Sequence, residues 1–187
     1  MSRRSRFRAI LLSGPVGSGK TRLLLEIGAV LEGLAEPYAL VDLDWLAWLH
    51  TAPGATVTVQ EVLAENLRAV WATFRKAGVE RLVLARFLAR REHLDAVGQA
   101  LPEVDLFVVR LAVPRQVLQE RLRRRDSGHE LDEHLALITQ AETLDLEDAV
   151  IDNGDERRPA VVALEILTLA GWFAGIDPLR QSPTAST

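Results

Sequence analysis

Apolar positions fall along this chain in two alternating patterns. Phe7–Ser13 (FRAILLS) is a short, nearly continuous apolar run, as a buried strand requires. In Thr21–Leu34 the apolar positions recur instead at helical spacing, with Leu23, Leu24, Ile27, Val30, Leu31 and Leu34 on one face. The alternation then repeats. Tyr38–Val41 predicts a second strand ending at Asp42, and the apolar and aromatic residues 43–50 a short helix or turn. Thr58 is placed to cap a helix over Val59–Lys76 that Gly78 ends. Arg81–Ala85 predicts a third strand, Arg90–Ala100 a helix closed before Pro102, and Val104–Val109 a fourth strand. Pro114 opens a helix toward Arg125, Ser127-Gly128 breaks it, and a further helix is expected over Leu131–Leu144. Ala149–Ile151 predicts a fifth strand, and Pro159 opens a last helix ending near Gly171. Strands alternating with helices imply an α/β fold, a parallel sheet covered by helices on both faces.

Length and composition narrow the picture. The 187 residues suit a single domain, expected over residues 1–175, with the polar residues 176–187 as a flexible tail. No cysteine is present, which excludes disulfides, thiolate nucleophiles and cysteine metal sites. The formal charge of -4 argues against binding nucleic acid through a broadly basic surface. The basic start MSRRSRFR precedes an apolar run that Gly14 and Pro15 break early, so a signal peptide is not expected. No apolar stretch approaches the ~18 residues of a membrane span, and the expected location is the cytoplasm.

The strongest chemical signal is 14-GPVGSGKT-21, which satisfies G-x-x-x-x-G-K-[ST] between a strand and an amphipathic helix. Gly14, Pro15, Val16, Gly17, Ser18, Gly19, Lys20 and Thr21 thus form a candidate nucleotide-phosphate cradle. Its glycines let backbone N–H groups turn inward, and the helix that follows adds its positive end. Lys20 is expected on the β- and γ-phosphates, and the Thr21 hydroxyl on magnesium. Asp42 and Asp44 follow in 41-VDLD-44, at the end of a parallel strand where such sheets bind ligands. A carboxylate there can orient an acceptor hydroxyl and take its proton. Asp44 is preferred for that contact, with Asp42 helping to hold magnesium through water or supporting the acceptor. Trp45 and Trp48 either stack an acceptor ring or pack the short helix on the core.

The third strand ends in Ala85-Arg86 rather than an acidic residue, which weakens a self-contained ATPase reading. Arg86 is a candidate for an anionic acceptor or the transferring phosphate, with Arg90 and Arg91 weaker. In 121-RLRRRDSGH-129, Arg121 and Arg125 share a helix face and would neutralise phosphoryl charge from a mobile lid over residues 121–134. Asn153 and Gly154 are candidates to line an adenine pocket through backbone groups. His129 and His134 do not have a convincing metal-ligand pattern and are expected to be solvated.

Taken together, 14-GPVGSGKT-21, 41-VDLD-44 and the arginines after the fourth strand resemble the small P-loop kinases: nucleoside-monophosphate kinases, adenylylsulfate kinases and kinases of small alcohols. The resemblance implies a three-layer αβα fold with a five-stranded parallel sheet ordered 2-3-1-4-5 and a lid after strand 4. It implies magnesium-dependent transfer from ATP to a hydroxyl or phosphate of a small molecule, with Arg121 and Arg125 as lid arginines, Asp42 or Asp44 on the acceptor side, and Arg86 as an acceptor-side arginine. The Trp45–Trp48 segment points to a specialised acceptor. A regulatory nucleotide-binding protein without transfer and a polynucleotide 5'-hydroxyl kinase are the alternatives. The sequence leaves monomer and dimer both open.

Overall fold

A computed structural model describes residues 6–140 and 145–173. The elements follow in the order β1 (Phe7–Ser13), α1 (Lys20–Gly33), β2 (Tyr38–Asp42), α2 (Leu43–Leu46), α3 (Val59–Lys76), β3 (Arg81–Ala85), α4 (Arg91–Ala100), β4 (Val104–Ala112), α5 (Arg115–Arg125), α6 (Gly128–Gln140), β5 (Ala149–Asp152) and α7 (Pro159–Leu169). The five strands form one parallel sheet in the order β2-β3-β1-β4-β5, as the resemblance implies. This is the three-layer αβα architecture of the P-loop kinases.

The alternation of side chains along β1 explains the two layers. Ile10 and Leu12 point into a core shared with α1 and α7, through Leu23, Ile27, Val162 and Ile166. Ala9 and Leu11 point the other way, into a core with α3 and α4 through Leu63, Leu67, Trp71 and Val97. Both faces of the central strand are therefore dry, which is why its sequence reads as a continuous apolar run. Trp71 fills the second layer, its ring edge-on to Phe7 at 5.3 Å and its indole N–H donating to Glu103 Oε1 at 2.9 Å.

Local signals set most boundaries. Thr58 accepts from the Glu61 N–H while the Glu61 carboxylate accepts from the Thr58 N–H, a capping box that starts α3. β4 runs three residues past its expected end at Val109. Arg110 interrupts the apolar pattern there, yet its guanidinium pairs with Glu147 at 2.5 Å and the ladder to β5 continues through Ala112–Asp152. α6 begins at Gly128, three residues before the expected start, because the break after α5 is only two residues long. The expected end of this helix at Leu144, and the tail 176–187, lie outside the described residues. Among the described residues no helix is long and apolar enough to cross a membrane.

The registers Leu12↔Ala85 and Asp42↔Ala85 bring the ends of β1, β2 and β3 to one level of the sheet. Everything that follows each strand is thereby gathered at its carboxyl edge. We expect Leu11→Ala, in the fully buried centre of β1, to lower unfolding stability by about 2–5 kcal/mol. Urea titration of both proteins measures this; an unchanged midpoint would contradict the two-faced burial of β1.

Candidate functional site

The loop between β1 and α1 wraps back on itself. Gly17 and Gly19 have φ of 83° and 91°, in the left-handed region that glycine tolerates. A Cβ on Gly19 would also come within 2.7 Å of Asn153 Nδ2. The Asn153 amide donates to the Ser18 carbonyl at 2.7 Å, and Asn153 is held in turn by its N–H on Ala112 O at 2.8 Å. Because a peptide is planar and trans, a Ser18 carbonyl pinned toward Asn153 turns the Gly19 N–H the opposite way, toward the loop interior. The Ser18 N–H closes the turn on Pro15 O at 3.1 Å. Lys20 Nζ donates to the carbonyls of Gly14 at 2.8 Å and Pro15 at 3.1 Å, so the ammonium sits across the mouth of the loop. Burial pulls its pKa down to about 8, Asp44 and Asp42 pull the other way, and Arg125 adds to the depression.

Asp42 links two elements. Its Oδ2 accepts from the Thr21 hydroxyl at 3.2 Å, and its Oδ1 accepts from the Asp44 N–H at 3.2 Å, capping α2. Capping thus falls to Asp42, and Asp44 is carried into the first turn of α2 with its carboxylate in the cleft. Asp44 keeps an exposed surface, yet the protein around it strips enough water to push its carboxyl pKa up. Lys20 opposes this, Asp42 reinforces it, and Arg86 and His93 oppose it.

Arg86 continues β3 past Ala85, its N–H on Leu12 O at 3.0 Å. It is only 6% exposed. Nη2 donates to Gln60 Oε1 at 3.0 Å, and Nη1 is buried without a partner among the described residues. Burial lowers its pKa and Asp44 raises it. His93, which its sequence surroundings did not single out, faces this group: its Nδ1 accepts from the Ala89 N–H at 3.3 Å, and burial followed by the Arg86 charge lowers its pKa. Arg90 only precedes α4, and Arg91 makes an exposed pair with Asp95 at 3.9 Å.

The two candidate arginines of α5, Arg121 and Arg125, are both engaged. Arg121 donates through Nη1 to Gly17 O at 3.0 Å, through Nη2 to Asn153 O at 3.0 Å, and through Nε to Asp155 Oδ1 at 2.9 Å. It bridges the loop to the turn after β5. Arg125 pairs with Asp126, which His134 also contacts, so His134 is not a solvated residue; His129 is exposed and sits 3.1 Å from Glu133. Leu118 and Leu122 anchor α5 against Val16, Leu131 and Leu135.

Two clefts adjoin at the loop. The larger, about 560 Å³, is lined by Lys20, Thr21, Asp42, Asp44, Arg125 and the two tryptophans, among others. Trp45 and Trp48 are 70% and 76% exposed and stack on each other at 5.1 Å and 19°, so they wall the cleft instead of packing on the core. The smaller, about 310 Å³, runs beside Gly19, Arg121, Asn153, Gly154 and Asp155. The Gly154 N–H is turned to Asp152 Oδ1 at 3.2 Å. A separate groove of about 410 Å³ between α3 and α4 is lined by Glu61, Glu65, Glu92 and Asp95, among others, and includes no residue of the glycine-rich loop.

No family model and no curated protein matches the sequence. Solved structures do match the fold. A gluconokinase from Sinorhizobium meliloti 1021 superposes with a TM-score of 0.57 and 22% identity, covering 92% of this chain and 95% of its own. An APS kinase from Mycobacterium tuberculosis, solved with AMPPNP and APS, gives 0.60 and 21%, over 89% and 99%. A tunicamycin resistance protein from Deinococcus radiodurans gives 0.59 and 20%, over 88% and 96%. The chain is structurally similar to small-molecule P-loop kinases.

Asn153→Ala leaves the Ser18 carbonyl without its partner in a buried turn. We expect a stability loss of about 1–3 kcal/mol by chemical denaturation; a wild-type value would show that Asn153 does not hold the loop.

Proposed function

We propose that this protein is a kinase that transfers the γ-phosphoryl of ATP to a hydroxyl or phosphate of a small molecule. The observation that carries the reading is the cleft in which the glycine-rich loop and Lys20, after β1, face Asp42 and Asp44 at the end of β2. The loop N–H groups and the N-terminus of α1 bind the phosphates, and Lys20 spans β and γ. Asn153 and Gly154 border the smaller cleft, where the adenine lies.

The Thr21 hydroxyl and Asp42 carboxylate converge to 3.2 Å, an all-oxygen pair that suits magnesium. These two residues would hold the ion, directly or through water, and the ion would neutralise phosphate charge. Asp44 orients the acceptor. When the acceptor is a hydroxyl, its oxygen bonds to the γ-phosphorus, the bond from that phosphorus to the β–γ bridging oxygen breaks, and the hydroxyl proton passes to Asp44. The upward push on the Asp44 pKa makes it a stronger base than an ordinary aspartate. Arg86, with a buried N–H to spare, meets negative charge on the acceptor side. Arg125 meets charge on the transferring group, while Arg121 braces the loop.

The two tryptophans further specify the acceptor as a molecule with a flat ring, such as an aromatic or natural-product alcohol. A labelled-ATP screen over nucleotides, sugars and aromatic metabolites tests both levels. Ring-bearing alcohols are expected to take the label, and replacing Trp45 and Trp48 by Ala to raise acceptor KM about tenfold at similar ATP KM. Transfer only to nucleoside monophosphates would contradict the ring assignment.

Lys20→Ala is expected to abolish transfer in a folded protein. The ammonium form of Lys20 is the one that binds phosphate, so MgATP affinity is full below about pH 8. As the pH rises through that value the affinity is lost, by up to about tenfold per unit. Calorimetric titrations from pH 6.5 to 9.5 measure this slope. A slope that survives in Lys20→Ala would assign it to another group.

A further inference from the structure

The short stretch joining α5 to α6 holds a network that the transfer reaction does not by itself explain. Asp126 follows Arg125, and its side chain is 3% exposed where that of Arg125 is 54% exposed. The guanidinium meets the carboxylate along one edge: Nε donates to Oδ1 at 2.6 Å and Nη2 to Oδ2 at 3.0 Å. From the other side, His134 on α6 brings Nδ1 to 2.7 Å from the same Oδ2. A carboxylate only accepts, so His134 Nδ1 carries the proton in this contact. Nη2 and Nδ1 lie 3.4 Å apart because both donate to that one oxygen.

The consequence is geometric. An arginine has five N–H donors. The Asp126 edge takes Nε and one proton of Nη2, which fixes the plane of the guanidinium. Nη1, with two protons, makes no hydrogen bond among the described residues, with the Glu130 carboxylate a further charge that acts on this guanidinium, and Arg125 lines the same cleft as Gly19, Lys20 and Thr21. Its charge is felt at Lys20, where it contributes to the lowered pKa. An arginine held this way meets a third phosphate without first freezing a flexible side chain.

We propose that Asp126 and His134 are positioning residues that present the outer edge of Arg125 to the γ-phosphate, so that preference for a nucleoside triphosphate over the diphosphate depends on them. The inference rests on the kinase reading and adds the origin of its triphosphate selectivity. Asp126, Glu130 and His134 also offer ligand atoms within 4.8 Å of one another, as a divalent cation would need. Both Asp126 oxygens already accept from a fixed cation, however, and a metal ion would have to displace it.

The test compares calorimetric affinities for Mg·AMP-PNP and MgADP. In Asp126→Asn, AMP-PNP affinity is expected to fall about tenfold with MgADP affinity unchanged, as in Arg125→Gln. His134→Phe shifts the ratio the same way, and His134→Asn, which keeps an N–H donor for Asp126, restores it. A general packing defect would weaken both nucleotides alike, and thermal melts report the fold of each variant. A wild-type ratio in both Asp126→Asn and His134→Phe, with the loss seen only in Arg125→Gln, would overturn the clamp. If Asp126→Asn does not fold, the two His134 variants decide. A 1:1 complex with Zn²⁺ alone that His134→Phe abolishes would replace the clamp by a metal site. Wild-type protein that binds neither nucleotide would instead overturn the kinase reading beneath the proposal.

Discussion

The structure depends on one backbone constraint: the glycine-rich loop must keep the Gly17 and Ser18 carbonyls turned outward, while those of Gly14 and Pro15 face the Lys20 ammonium across its mouth. Glycine alone does not ensure this, because a residue free to adopt φ of 91° is also free to leave it. Asn153 and Arg121 supply the restraint by holding the carbonyls of Ser18 and Gly17. Both reach the loop from the β4–β5 side of the sheet, so the pairing of β4 with β1 and β5 is a condition for an ordered loop. The two buried layers that lock β1 in the centre of the sheet therefore serve the site directly.

A second consequence of that geometry is electrostatic. Three carboxylate- or cation-bearing segments converge where β1, β2 and β3 end, and each group alters its neighbours. Lys20 loses basicity to burial while Asp44 gains it, and each is partly restored by the other. A less basic ammonium and a carboxylate better able to take a proton are thus products of a single crowded cleft. Arg86, buried with one N–H end unpartnered among the described residues, extends the same crowding to the end of β3.

Much of the fold was legible in the chain because its signals are local. The apolar run of β1, the helical spacing of α1, the capping residue Thr58 and Pro159 at the start of α7 each act within a few residues. The loop motif and 41-VDLD-44 were legible for the same reason. What was missed is long-range. Arg121 and Gly17 are 104 positions apart, and no spacing rule connects them. His134 looked solvated by itself, and only the fold of α6 against the end of α5 reveals the buried Asp126 it touches. Gln60 and His93 acquire meaning solely from the Arg86 guanidinium that β3 delivers between them. The two tryptophans show the limit from the other side: their sequence fits either packing or ligand contact, and exposure in the cleft decides against packing.

The central claim is that the restrained loop is a triphosphate cradle. Titrating the folded protein with ATP in a calorimeter, with and without magnesium, tests it most directly. The account predicts saturable one-to-one binding that magnesium strengthens. Folded protein that shows no saturable heat of binding, of either sign, up to saturating magnesium–ATP, and no nucleotide-dependent rise in melting temperature, would contradict it.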